Sequence, residues 1–142
     1  MSINLTLLLA AIATIETGSQ PHPDAAVGAA GERSCYQMSA AVWKSHSHSD
    51  FTVDSANHEL AYTVAEAHII SIFKNLEAHH IPVTIENLAG SWKSPQRVLT
   101  AHWTASTRDY AQRVENIYNS LLAEKTNSDA LDPEKLRFTL SK

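Results

Sequence analysis

The chain has 142 residues, 44% of them hydrophobic, which suits one globular domain around a single core. Eleven Lys and Arg against fifteen Asp and Glu leave a formal charge of -4, so there is no basic field to draw in nucleic acid or an anionic membrane. A single cysteine, Cys35, excludes an internal disulfide, and no stretch approaches the roughly twenty apolar residues of a membrane-spanning helix. Eight histidines carry the net charge towards zero or above it if several protonate near pH ~6.

Leu5 to Ala11 imitates the apolar part of a signal peptide, but no Lys or Arg precedes Arg33 to form a charged leader, so a domain helix is expected there. Leu5, Leu9, Ile12 and Glu16 follow spacings of 4, 3 and 4, which places three aliphatic side chains and then a carboxylate on one helix face. Gly18 and Pro21 end that helix. Residues 18 to 34 hold three of the four glycines and two prolines, which predicts an irregular loop or a poor hairpin around Ala25 to Ala29. In "YQMSAAVWKSH" Met38 and Val42 keep helical spacing and Ser39 is a cap, so a short helix begins there, followed by a loop through "SHSHSDFTVDS".

From about Ala56 to His79, Ala61, Val64, Ala65, His68, Ile69, Ile72, Phe73 and Leu76 form a broad apolar stripe, capped by Asp54 or Ser55 and stopped at Pro82. This is expected to be the central, most buried helix. Thr84 caps a short helix towards Trp92, and Ser94-Pro95 opens another through Leu99. Ser106 and Asp109 form a variant capping box for a last helix carrying Tyr110, Val114, Ile117 and Leu121. The expected domain covers residues 1–125, and the polar residues 126–142 form a tail that packs on it through Leu131, Leu136 and Phe138. The fold class is mainly α, with at most a small β-hairpin or irregular loop.

Glu16 is the residue with chemical promise, because a carboxyl at the end of an apolar helix beside a Gly-rich loop is held protonated by desolvation and serves as a general acid. The plainer alternative places it one step past the core on a solvated turn. His46 and His48 in "HSHSD" and the pair His79-His80 lack an i, i+4 arrangement with a Glu partner and are read as exposed loop residues, so no metal and no cofactor is expected. His68 is expected as a hydrogen-bonded core residue, Cys35 as packing under the loop, and Trp43, Trp92 and Trp103 as buried anchors or a sugar-stacking platform.

Four segments stand in a telling order: "AIATIETGS", "AVGAAGERSCYQM", "FKNLEAHHIPVTIENLAGSWKSPQRVL" and "YAQRVENIY". Over about residues 5 to 122 this succession resembles the soluble lytic transglycosylases and goose-type lysozymes, the peptidoglycan-cleaving branch of the lysozyme-like superfamily. In that family an "ES" or "ETG" closes the first helix, a "GLMQI" or "GPYQI" motif follows, then "AYN" or "AWN", and a late Tyr precedes a basic, aliphatic helix. The resemblance implies a lysozyme-like α-helical domain with a catalytic cleft. It makes Glu16 the catalytic acid, and Tyr36, Gln37 and Met38 the last places of the "GPYQI" motif lining the sugar cleft. It matches Ser91 and Trp92 to the "AY" or "AW" pair and Tyr110 to the late tyrosine that approaches the acid.

The resemblance further implies a peptidoglycan lytic transglycosylase that cuts the β-1,4 bond between N-acetylmuramic acid and N-acetylglucosamine. Glu16 acts as acid and then base, the partner is the glycan strand, and a monomer without membrane insertion is expected. It acts at the bacterial cell wall or periplasm, delivered by a phage or released from the cytoplasm. Ser34 and Cys35 stand where the family has Gly and Leu or Pro, and Lys93 stands where it has Asn; a Lys93 near Glu16 lowers the acid's pKa. Two alternatives follow: a catalytically impaired lysozyme-like domain that binds glycan, or a structural helical protein with an exposed Glu16. Asp24 and Glu32 are chain-distant carboxylates whose position the sequence leaves open.

Overall fold

A computed structural model describes residues 2–130, and the chain is mainly α: seven α-helices and no strand among the described residues. Helix α1 (Leu5–Thr17) starts where Asn4 Oδ1 accepts from the Leu7 N–H at 3.0 Å, satisfying one of the open donors of the first turn. Leu8, Leu9, Ala11 and Ile12 are buried on it, while Leu5 and Glu16, at the two ends of the expected stripe, are half-buried. Segment 18–38 contains a short 3₁₀ turn (Pro23–Ala25) and two isolated antiparallel bridges, Val27 with Arg33 and Arg33 with Met38. The expected poor hairpin is therefore displaced towards a tight turn at Ser34–Gln37, closed by the Gln37 N–H donating to the Ser34 carbonyl at 3.1 Å.

Helix α2 (Ala40–His46) begins at the Ser39 cap and buries Trp43, whose Nε1–H donates to the Ser49 carbonyl at 3.0 Å. The segment expected as loop after it includes one helical turn, α3 (Phe51–Asp54), because the Asp50 carboxylate accepts from the Val53 N–H. Helix α4 (His58–Ala78) is capped by Asn57 rather than by Asp54 or Ser55; those two residues lie at the end of α3. Its buried residues Ala61, Val64, Ala65, Ile69, Ile72 and Leu76 are the predicted stripe, and His68 is half-buried.

Helix α5 (Ile85–Lys93), capped by Thr84, takes the most enclosed position, with Leu88, Ala89, Gly90 and Ser91 consecutively buried between α4, α6 (Pro95–Leu99) and α7 (Ala105–Ala130). Small side chains permit this: a Cβ on Gly90 would run into the ring of Trp103. The stripe on α4 is longer and packs against α1, α2 and α5. Helix α7 packs along α1 and α5 and begins two residues earlier than the Ser106–Asp109 pattern implied, because Thr104 Oγ1 accepts from the Thr107 N–H at 3.1 Å. The helix runs without a break past Lys125 to Ala130, so the expected domain boundary falls inside it. The expected packing of Leu131, Leu136 and Phe138 lies outside the described residues. None of the described helices is long and apolar enough to cross a membrane.

Candidate active site

The end of α1, the 34–37 turn and the end of α5 converge on one groove. A hollow of about 320 Å³ is lined by Glu16, Glu32, Gln37, Trp92 and Lys93, and a second of about 210 Å³ shares Glu32, Gln37, Trp92 and Lys93 and continues past Met38, Val42 and His68. Shared walls make the two hollows one trough. Another hollow, of about 560 Å³ beside α2 and α3, is lined by Lys44, His48, Asp50 and their neighbours and lies apart from Glu16.

Glu16 reaches the groove because it is the last stripe position of α1, one helical turn beyond Ile12. Burial holds its carboxyl above the ordinary range, the Lys93 ammonium pulls it down, and the Glu32 carboxylate pushes it up again, with burial the strongest influence. Glu32 is thus the chain-distant carboxylate that approaches, whereas Asp24 turns away to His58. Glu32 and Gln37 close over Gly28, where a Cβ would collide with both side-chain ends. At the two ends of the 34–37 turn Ser34 and Gln37 hold left-handed backbone angles, φ 74° and 53°. The Ser34 hydroxyl steadies its turn by accepting from the Tyr36 N–H at 3.2 Å.

Gln37 spends its amide group on the turn: Nε2 donates to the Ser34 carbonyl at 2.9 Å and the Ala26 carbonyl at 3.3 Å. Its amide oxygen, like a Glu32 carboxylate oxygen, lies over Gly28. Trp92 is half-buried and fixed at both ends, its Nε1–H donating to the Tyr36 carbonyl at 3.3 Å and its ring meeting the edge of His68 at 5.0 Å between centroids. His68 is in turn hydrogen-bonded to His46 at 3.1 Å, and burial with that neighbour pushes its pKa down to about 4. It therefore stands as a neutral wall residue at neutral pH.

Of the residues singled out from sequence, Glu16, Gln37 and Trp92 line the first hollow and Met38 the second. Tyr36 and Tyr110 are buried behind the wall instead. Tyr36 contributes its backbone carbonyl to Trp92, and its phenol is pushed up by burial. The Tyr110 phenol is pushed up by burial and then by the Glu16 carboxylate, and its hydroxyl has no hydrogen-bond partner. The Lys93 ammonium lies 5.1 Å from the centroid of the Tyr110 ring. Compared with family models, curated proteins and solved structures, the chain gives no significant match.

The site adds Glu32 and His68 to the sequence-derived set. Glu32 carries a weak signal, since Gly28 four residues earlier leaves room for its side chain; His68 carries none beyond its place on an apolar stripe. Chemically, the groove offers one carboxyl of raised proton affinity, a second carboxyl group beside it, a lysine ammonium and a fixed aromatic wall. Such a set suits proton transfer to a polar, extended ligand.

Proposed function

We propose that the chain cleaves peptidoglycan glycan strands at the β-1,4 bond between N-acetylmuramic acid and N-acetylglucosamine, as a lytic transglycosylase of the lysozyme-like class. What supports this reading above all is the half-buried Glu16 carboxyl, raised in proton affinity and open to a groove that also holds Gln37 and Trp92. The ordered motifs that resemble the lytic transglycosylases supply the substrate class.

Protonated Glu16 gives its proton to the glycosidic oxygen as the bond from that oxygen to C1 of muramic acid breaks. The substrate's own N-acetyl carbonyl shares the positive charge at C1, so no enzyme nucleophile is required. Ionised Glu16 then takes the proton of the C6 hydroxyl, and that oxygen closes on C1 to give the 1,6-anhydro sugar. Water attacking in its place gives simple hydrolysis, and Glu32 stands on the same groove as a base for that branch. Trp92 offers a ring face or edge to a pyranose, and the Gln37 amide oxygen accepts from a sugar hydroxyl or amide.

A second reading, glycan binding without cleavage, draws on Lys93, which opposes protonation of Glu16. Mass spectrometry of sacculus digests separates the two. The expected products are soluble muropeptides lighter by one water than those of a hydrolysing lysozyme, with Glu16→Gln reducing their release by about 10²–10⁴-fold. No soluble product from the wild type, together with sedimentation on sacculi, would leave only binding; neither release nor sedimentation would end both readings.

A further inference from the structure

On the other side of the 34–37 turn, three potential metal donors meet that play no part in the groove. We propose that Asp24, Cys35 and His58 form a zinc-binding site that ties the 18–38 segment to the first turn of α4. One donor atom from each, a carboxylate oxygen, the thiol sulfur and a ring nitrogen, lies within 4.8 Å of the other two. Around a tetrahedral zinc ion, neighbouring S, N and O donors stand roughly 3.3–3.6 Å apart, so the Asp24–His58 pair at 2.9 Å opens slightly and small side-chain rotations bring all three donors onto the ion.

The surroundings fit a site built for an ion. Asp24 Oδ1 and His58 Nδ1 are already paired at 2.9 Å, although the two side chains remain 45% and 63% exposed. Cys35 is only 4% exposed, yet it lines the same hollow of about 310 Å³ as Asp24 and His58, which leaves space for a water as fourth ligand. Its backbone is held from two sides: the Ser34–Gln37 turn encloses it, and the Thr17 hydroxyl donates to its carbonyl at 2.9 Å. A thiolate, imidazole and carboxylate together favour zinc over calcium or magnesium, which take oxygen ligands. A nucleophilic role for Cys35 fits poorly, because burial and the Asp24 carboxylate push the thiol up to about 12. Binding releases the thiol proton to solvent and breaks the hydrogen bond between His58 Nδ1 and Asp24, so that the imidazole ligates through an unprotonated Nδ1 and keeps its proton on Nε2.

The test uses the full chain, reduced and stripped of metal, titrated first with cobalt(II) as a spectroscopic stand-in and then with zinc. The expected result is one cobalt per chain with a near-ultraviolet thiolate-to-cobalt charge-transfer band, displaced by one equivalent of zinc. Cys35→Ser abolishes the band. His58→Ala, on an exposed position that leaves packing intact, weakens zinc at least about 10-fold by chelator competition, as expected when a ligand is lost. Glu16→Gln keeps both band and affinity, so the outcome is independent of glycan cleavage. Absence of the thiolate band in the wild type, or undiminished zinc affinity in His58→Ala, would overturn the site.

Discussion

Two neighbours of opposite charge adjust the raised proton affinity that burial gives Glu16. Lys93 lowers the carboxyl's pKa and Glu32 raises it, while burial dominates both. An acid catalyst is active while protonated, so the high-pH limb of the activity profile follows the Glu16 pKa. Lys93→Met should move that limb to higher pH, and Glu32→Gln should move it to lower pH. Sacculus turbidity clearing measured across pH checks both, and shifts of the same sign in the two variants would point to a different acid. Ser34 illustrates another kind of residue, one whose left-handed φ of 74° serves the turn and whose carbonyl holds the Gln37 amide nitrogen in place. The hydrogen bond from Tyr36 N–H to its hydroxyl is what a glycine in its place would lack.

At the scale of elements, helix ends do the positioning. α1 ends within a turn of Glu16, α5 ends at Lys93 just after Trp92, and the Ser34–Gln37 turn lies between them. α5 comes close to its neighbours because Gly90 has no side chain. Gly90→Ala gains about 1 kcal/mol of helix propensity but forces a methyl into the Trp103 ring. The collision should win, with a net loss of about 1–2 kcal/mol in chemical denaturation and altered tryptophan fluorescence, since Arg108 also stacks on that ring at 5.9 Å. Stability equal to or above wild type would mean that Trp103 swings aside freely.

At the scale of the whole molecule, Glu16 and His68 tilt stability with pH in opposite directions. Glu16 has a folded pKa above its ordinary value of 4.5, so the folded state holds the proton more tightly, and stability is full below about pH 4.5 and falls as pH rises through the folded pKa. Glu16→Gln should therefore raise Tm at neutral pH, with the difference closing as pH drops towards 4.5. His68 falls from 6.5 to about 4, so the unfolded chain takes up a proton first and stability is lost between those two values on acidification. His68→Gln should flatten that loss. Calorimetric Tm against pH for the three proteins reads both effects, and a wild-type profile flat from pH 4 to 6.5 would remove the His68 contribution.

The helical stripes, the caps at Ser39 and Thr84 and the carboxylate at the end of α1 were legible in the sequence, because helix period and capping are local properties of neighbouring residues. Local signals also misplaced the caps of α4 and α7, where Asn57 and Thr104 compete with equally good polar residues two or three positions away. The mainly α class and the position of Glu16 at the rim of the core followed from the sequence by itself. Only the tertiary structure decided that Glu32 and Lys93 share its groove, that Tyr36 and Tyr110 sit behind the wall, and that Asp24, Cys35 and His58 meet. These meetings join residues far apart in the chain, and their charges, desolvation and donor geometry arise only when separate helices and a turn are packed together.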